Sequence, residues 1–147
     1  MDISKSSRFS LSLAALAVTA LACGSLVPPE SCPSTSFDPE AFATYFNDMQ
    51  LVSAASGQPG QPDSGDDRGQ GFSTDEELAI IVDNLGDIEL TICITERKGG
   101  GQIVYNQTHT IQEGRSTIPL MAFESDPYVI RVIVEEVLVR NLTFFTE

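Results

Sequence analysis

The sequence has no tryptophan, one histidine and three cysteines, and its 8 lysines and arginines stand against 21 aspartates and glutamates. The net charge of −13 argues strongly against nucleic acid as a partner, because roughly six to ten phosphate contacts need a basic face that this chain cannot supply. His109 is the single histidine, so hydrolase triads and zinc sites lack their usual parts, and no G-x-S-x-G, H-E-x-x-H or Walker-type motif occurs. We therefore expect no enzyme activity and no cofactor.

Only one long apolar run is present, and it lies at the N-terminus. Lys5 and Arg8 precede an uncharged, largely apolar stretch of 14 residues, 9–22. This stretch is shorter than the roughly 20 residues of a transmembrane helix, and it ends in small residues as a cleavable signal does. We expect residues 1–22 to be a signal peptide and the chain to be exported.

The end of this signal fits two kinds of processing. Ala20-Leu21-Ala22 fits the small-x-small rule of ordinary signal peptidase. Leu21-Ala22-Cys23-Gly24 resembles a bacterial lipoprotein signal, in which the cysteine becomes the lipidated first residue of the mature chain. We favour lipid on Cys23. The membrane is then a partner only through this N-terminal lipid, and the expected location is the outer membrane, the cell surface or the periplasm.

The number of cysteines supports this choice. Three cysteines in an exported chain leave one thiol without a disulfide partner. With lipid on Cys23, Cys32 and Cys93 remain as an even pair, for which we predict a disulfide in an oxidising compartment. The alternative for Cys93 is a free thiol in a strand.

Residues 23–75 are predicted to contain a tether, a short arm helix and a flexible linker. The tether, residues 23–37, is rich in proline and serine, and Asp38 followed by proline and glutamate is typical of a helix start. An apolar stripe at helical spacing then predicts a helix over about 39–52. Its members are Phe42, Tyr45, Phe46, Met49 and Val52. Glycine, proline and aspartate dominate residues 53–75, which predicts a linker or long loop.

From residue 76 the pattern becomes that of a β-sheet protein. Short β-rich runs recur about every ten residues with turn-forming residues between them, which predicts an antiparallel, immunoglobulin-like sandwich over residues 76–147. The predicted strands are 78–83, 88–95, 102–112, 116–121, 128–134 and 137–145. One further strand from the arm, in place of part of the helix, would complete the seven strands of such a fold. Pro119 predicts that the fourth strand lies at a sheet edge.

The order of these strands resembles a known group of proteins. Five runs carry the resemblance: NLGDIELTI, GGQIVYNQTH, GRSTIPL, YVIRVIVEE and VLVRNLTFF. In this order they resemble the small secreted immunoglobulin-like domains of unknown function common in Bacteroidetes. Those domains are related in pattern to type IX C-terminal sorting domains. The residues that match the recurring strand patterns are Gly101, Val104 and Tyr105, then Tyr128, Ile130 and Val132. The resemblance implies a β-sandwich at the cell surface or in the periplasm, with no assigned chemistry.

Two groups of charged residues are candidate sites. Arg97 and Lys98 form a basic spot on a glycine-rich hairpin tip, where sandwich folds often bind; the alternative is a solubilising loop. Asp63, Asp66 and Asp67 could supply some of the about six to eight oxygen ligands of Ca²⁺, although their spacing does not follow an EF-hand loop. The alternative for this group is a solvated acidic linker.

Three functional hypotheses follow from the sequence. The leading one is a non-enzymatic, exported and lipid-anchored β-sandwich that binds a protein or glycan partner through loops or an exposed edge strand. The second is a structural or assembly subunit that pairs with a neighbour by strand addition. The third is a surface domain stabilised by low-affinity calcium binding.

Overall fold

The computed structural model describes residues 31–33, 35–62 and 69–147, and nearly all of its regular structure is β-strand. In chain order the elements are β1 (Ser36–Phe37), α1 (Phe42–Tyr45), β2 (Phe46–Ser53), β3 (Gln61–Pro62), β4 (Gln70–Phe72), β5 (Leu78–Asn84), β6 (Ile88–Glu96), β7 (Ile103–Ile111), β8 (Gly114–Pro119), β9 (Pro127–Val134) and β10 (Val137–Thr146). No helix among the described residues is long and apolar enough to cross a membrane. The predicted signal peptide, residues 1–22, lies outside the described residues.

The strands form two sheets of unequal width. The larger sheet has seven strands, in the order β3-β4-β10-β9-β6-β7, with β1 also paired to β10. The smaller sheet has three strands, in the order β2-β5-β8. Pairing is antiparallel except where β1 and β4 run parallel to β10. The predicted fold class, a mostly β sandwich, is confirmed.

One hydrophobic core joins the two sheets. Along β6, Leu90, Ile92 and Ile94 are fully buried, because successive side chains of a strand point to opposite faces and these three share the inner one. Ile80 and Val82 of β5 belong to the same buried cluster. Each such aliphatic side chain contributes about 1.5–3 kcal/mol when it leaves water. The alternation that predicts the strands therefore also places the core between the sheets.

The predicted helix over 39–52 is wrong for most of its length. The helix ends at Tyr45, and β2 begins at Phe46 and pairs antiparallel with β5. A β-bulge between Phe46 and Asp48 adds one residue to β2. Phe46 and Met49, three residues apart, therefore both face the core, at 2% and 3% exposure. This bulge produces the spacing of three that is typical of a helix.

The predicted linker also contributes to the sheets. β4 pairs with the end of β10, and its Phe72 is buried with its ring edge-to-face against Phe144, centroids 6.4 Å apart. Gly71 has no room for a side chain, because a Cβ there would lie 2.6 Å from the ring of Phe145. The sandwich therefore includes strands on the N-terminal side of position 76, the predicted start of the sandwich domain.

Candidate functional site

The predicted disulfide is present and fixes the N-terminal segment to the larger sheet. Cys32 and Cys93 are bonded, with Cα atoms 5.8 Å apart, and both are buried. Cys93 alternates with Ile92 and Ile94 on β6, so it lies on the outer face, away from the core. From Cys32 the chain continues to β1, which pairs with the start of β10. Cys32 and the described residues next to it therefore lie on the outer face of the larger sheet.

The structure describes only some of the other predicted site residues. Cys23 and the predicted calcium ligands Asp63, Asp66 and Asp67 lie outside the described residues. Within the described residues, no group of three or more histidine, cysteine, aspartate or glutamate side chains is placed to hold a metal ion.

Arg97 and Lys98 lie in the β6–β7 hairpin, as predicted. The backbone N–H of Arg97 donates to the carbonyl oxygen of Pro127 at 2.8 Å, and the three residues after Lys98 are glycines with positive φ. Lys98 borders a small depression of about 100 Å³ that Asp126 and Glu147 also line. The basic spot therefore lies beside carboxylates, and its local field is mixed.

The strongest candidate for a binding site is the free edge of β7. This nine-residue strand pairs with β6 along its length, and no other strand of the described chain pairs with it. In an antiparallel strand, residues alternate in the side to which they direct N–H and C=O. Half of the β7 backbone groups are therefore directed away from β6, which is a template for pairing with a further strand.

The other sheet edges carry devices that block pairing, whereas most of β7 does not. Charged side chains, prolines, bulges and short length all protect edge strands. β8 carries Arg115 and Pro119, β2 carries Asp48 and a bulge, and β3 has only two residues. β7 has no proline and no lysine, arginine, aspartate or glutamate. Its one bulge leaves Val104 without a partner on β6 and lies at the hairpin end, so residues 105–111 pair regularly. The sheet order β2-β5-β8 confirms the edge position that Pro119 predicts for β8.

The inner face of β7 carries a row of hydrogen-bonded side chains. Register with β6 places Tyr105, Gln107 and His109 on the same face as the core residues of β6. The smaller sheet has only three strands, and this end of the inner face is only partly covered. The hydroxyl of Tyr105 lies 3.0 Å from His109 Nε2 and donates to Gln107 Oε1 at 3.3 Å.

Burial favours the neutral form of both titratable groups in this row. Burial lowers the pKa of His109 and raises the pKa of Tyr105. Imidazole nitrogen and phenol can therefore share a hydrogen bond between uncharged partners. On the outer face, the hydroxyl oxygens of Thr108 and Thr91 lie 2.8 Å apart. An incoming strand would thus meet neutral side chains that can donate and accept on both faces of β7.

In comparisons with known proteins, no protein-family model matches this chain, and no curated protein matches it.

The pattern of residues 102–112 predicts a strand but does not identify that strand as the open edge. The available signal was eleven consecutive residues without lysine, arginine, aspartate, glutamate or proline, in a chain of which 20% is charged. Such a run is compatible with a central strand as well as with an edge. Only the pairing of distant strands decides between the two.

Proposed function

We propose that this chain is an exported, lipid-anchored, non-enzymatic accessory module that binds an extended segment of a protein partner at the free edge of β7. Export and the anchor rest on the signal pattern of residues 1–22 and on Cys23, together with the resemblance to small secreted immunoglobulin-like domains. A buried Cys32–Cys93 disulfide fits an oxidising compartment.

The uncharged, proline-free edge of β7 is the observation that carries the binding function. A strand added there gains affinity from main-chain hydrogen bonds, and alternate side chains provide specificity. On the inner face these contacts would involve Tyr105 and His109, and on the outer face Thr108 and Thr110. This favours a protein partner over a glycan, because a glycan lacks the alternating N–H and C=O groups that pair with a strand.

The anchor would keep the domain close to the membrane. Cys23 and Cys32 are nine positions apart in the sequence. A fully extended chain of that length spans at most about 30 Å. Since Cys32 is bonded to Cys93, this point on the outer face of the larger sheet would stay within about that distance of the lipid.

A peptide-display experiment tests the binding edge. Random peptides of the length of β7 are selected on the immobilised protein, and the selected peptides are mapped by amide hydrogen exchange. We expect new protection at alternate residues of β7 and loss of binding in Thr110→Lys, which places a charge on the edge. The matched control, Thr117→Lys on β8, should bind as the wild type does. Peptides that protect only the 97–101 hairpin, or that bind Thr110→Lys unchanged, would overturn the proposal.

Intact mass of protein purified from its native host tests the anchor. A diacyl or triacyl adduct on Cys23 is expected, in addition to the mass deficit of one disulfide that reductant removes. An unmodified chain that begins at Cys23 would instead identify a freely secreted or periplasmic protein.

A further inference from the structure

The sequence of β7 is self-complementary about its central residue, Gln107. Positions at equal distance from Gln107 carry related side chains. From the two ends of the strand inward, these are a pair of apolar residues, a pair of β-branched residues, a pair of aromatic residues and a pair of polar residues that can form hydrogen bonds. The pairs are Ile103 with Ile111, Val104 with Thr110, Tyr105 with His109, and Asn106 with Thr108.

We propose that the partner at this edge is a second copy of the same chain, paired antiparallel through β7 about a two-fold axis at Gln107. This inference rests on the proposed function, since it requires β7 to be a binding edge. Antiparallel pairing of two identical strands about their central residue places each member of a pair opposite its counterpart in the other copy. The interface is then isologous and closed, and the two larger sheets become one continuous sheet.

The side chains brought together by this arrangement suit cross-strand pairing. Tyr105 of each copy stands opposite His109 of the other, so the interface has two facing aromatic pairs, one on either side of the two Gln107 residues. Aromatic pairs and hydroxyl or amide pairs that hydrogen-bond are the favourable cross-strand neighbours of a sheet. Asn106 and Thr108, opposite each other on the outer face, each offer a donor and an acceptor.

Charge restricts where two such copies can approach each other. At −13 per chain, association has to overcome repulsion, and β7 brings no carboxylate to the contact. The carboxylates of Asp87 and Glu113 lie at the corner beyond the C-terminal end of β7, where Asp87 accepts the N–H of Glu113 at 2.9 Å. Antiparallel pairing places this corner beside the β6–β7 hairpin of the other copy, which carries Lys98. Among the carboxylates near this hairpin, Asp126 and Glu147 belong to the β9–β10 side of the sheet, and Glu96 lies at the base of the hairpin beside Gly99.

Anchoring to one membrane would favour this pairing. Copies that share a surface meet at a higher effective concentration than free copies do, so an edge interaction that is weak in solution becomes populated there. The short connection between Cys23 and the disulfide keeps every copy at a similar height above that surface. We therefore expect pairing to be stronger on lipid vesicles than in solution.

A charge-exchange experiment at Gln107 tests the inference. Gln107 is exposed, so replacing it leaves the core intact. In the two-fold pair, Gln107→Lys places two lysines opposite each other, and Gln107→Glu places two glutamates opposite each other. Both changes should weaken pairing, because like charges at directly opposed positions of two strands repel. By sedimentation velocity over a concentration series, the wild type should dimerise, and each variant should need at least about tenfold more protein to do so. An equimolar mixture of the two variants should form dimers again, because lysine then faces glutamate.

Controls separate this pairing from general effects of charge. Thr117→Lys, the corresponding change on the β8 edge, should dimerise as the wild type does. All variants should keep the wild-type circular dichroism, and they should keep the wild-type melting temperature at protein concentrations low enough for the wild type to be monomeric. The inference is overturned if the wild type stays monomeric both in solution and on vesicles of neutral phospholipid that carry the lipidated protein. It is also overturned if either Gln107 variant dimerises normally, or if the mixture fails to restore dimers.

The peptide selection and the dimerisation experiment together distinguish failure of self-pairing from failure of the proposed function. A monomeric protein whose selected peptides still protect β7 would disprove self-pairing while retaining the binding edge. A monomeric protein whose selected peptides avoid β7 would disprove both.

Discussion

Tyr105 and His109 stack on one face of β7, with ring planes 7° from parallel and centroids 6.3 Å apart. The phenol oxygen lies 3.0 Å from the imidazole Nε2. Two aromatic side chains four residues apart thus form one neutral surface on an edge that carries no other titratable group within β7. Leu90 of β6 lies directly opposite His109, so the imidazole is partly shielded from water.

This shielding predicts a pH dependence of stability. Burial lowers the pKa of His109 in the folded chain, whereas the unfolded chain binds its proton near the ordinary value of about 6.5. As the pH falls through that value, the unfolded state takes up the proton first, and the free energy of unfolding decreases. The decrease continues until the pH is below the pKa of the folded state. Above about pH 7.5 the contribution of this group is constant.

Urea unfolding of the wild type and of His109→Gln between about pH 7.5 and about 5.5 measures the effect. The wild type should lose more stability than the variant across this window, because only the wild type has the imidazole. The carboxylates that titrate are common to both proteins and contribute equally. Equal losses in the two proteins would show that the imidazole is solvated as in the unfolded chain.

Phe46 provides a test of whether the arm belongs to the folded core. It is 2% exposed at the start of β2, and its ring centroid lies 5.2 Å from that of Phe42. Removing a buried phenylalanine side chain costs about 3–5 kcal/mol, so Phe46→Ala should lower the free energy of unfolding by about that amount. Phe37, in β1, is 55% exposed, and Phe37→Ala should change stability by less than about 0.5 kcal/mol. Similar values for the two variants would place the arm outside the cooperative unit.

Comparison of β6 with β2, which begins at Phe46, shows which strands the sequence predicts and which it does not. The period of two in residues 88–95 predicts β6 and its buried face, since local alternation alone determines which side chains face the core. In β2, the bulge after Phe46 mimics helical spacing, and only the pairing of β2 with β5 removes the ambiguity. The open edge of β7 is likewise a property of sheet order. It depends on contacts between strands that are distant in the sequence, so no local pattern reveals it.

The turn between β9 and β10 predicts a stabilising substitution. Val134 pairs with Val137, so Glu135 and Glu136 form a two-residue hairpin loop, with φ of 50° and 65°. This left-handed region favours glycine and disfavours residues with a Cβ by about 1–2 kcal/mol. Glycine also loses more entropy on folding, so Glu136→Gly should raise the free energy of unfolding by about 0.5–1 kcal/mol.

Glu135 is left unchanged in this test because its carboxylate accepts a hydrogen bond from the Tyr45 hydroxyl at 2.9 Å. Glu113→Gly is the control, since Glu113 is also an exposed turn glutamate but has no positive φ. It should leave the protein unchanged or less stable. A loss of stability in Glu136→Gly would contradict the assignment of a strained loop.

The Cys32–Cys93 disulfide predicts that the oxidised protein is more stable to unfolding than the reduced protein. Cys32 and Cys93 are 61 positions apart, and closing a loop of that length in the unfolded chain accounts for about 4 kcal/mol on the chain-entropy model. The double variant Cys32→Ser with Cys93→Ser should therefore unfold at lower urea concentration, by an amount equivalent to about 2–4 kcal/mol. Reductant should destabilise the wild type by a similar amount and leave the variant unchanged. Because the bridge holds the N-terminal segment on the outer face of the larger sheet, hydrogen exchange should increase first in β1, whose pairing with β10 involves only two residues. If reductant left the urea midpoint unchanged, the core alone would be holding the N-terminal segment in place.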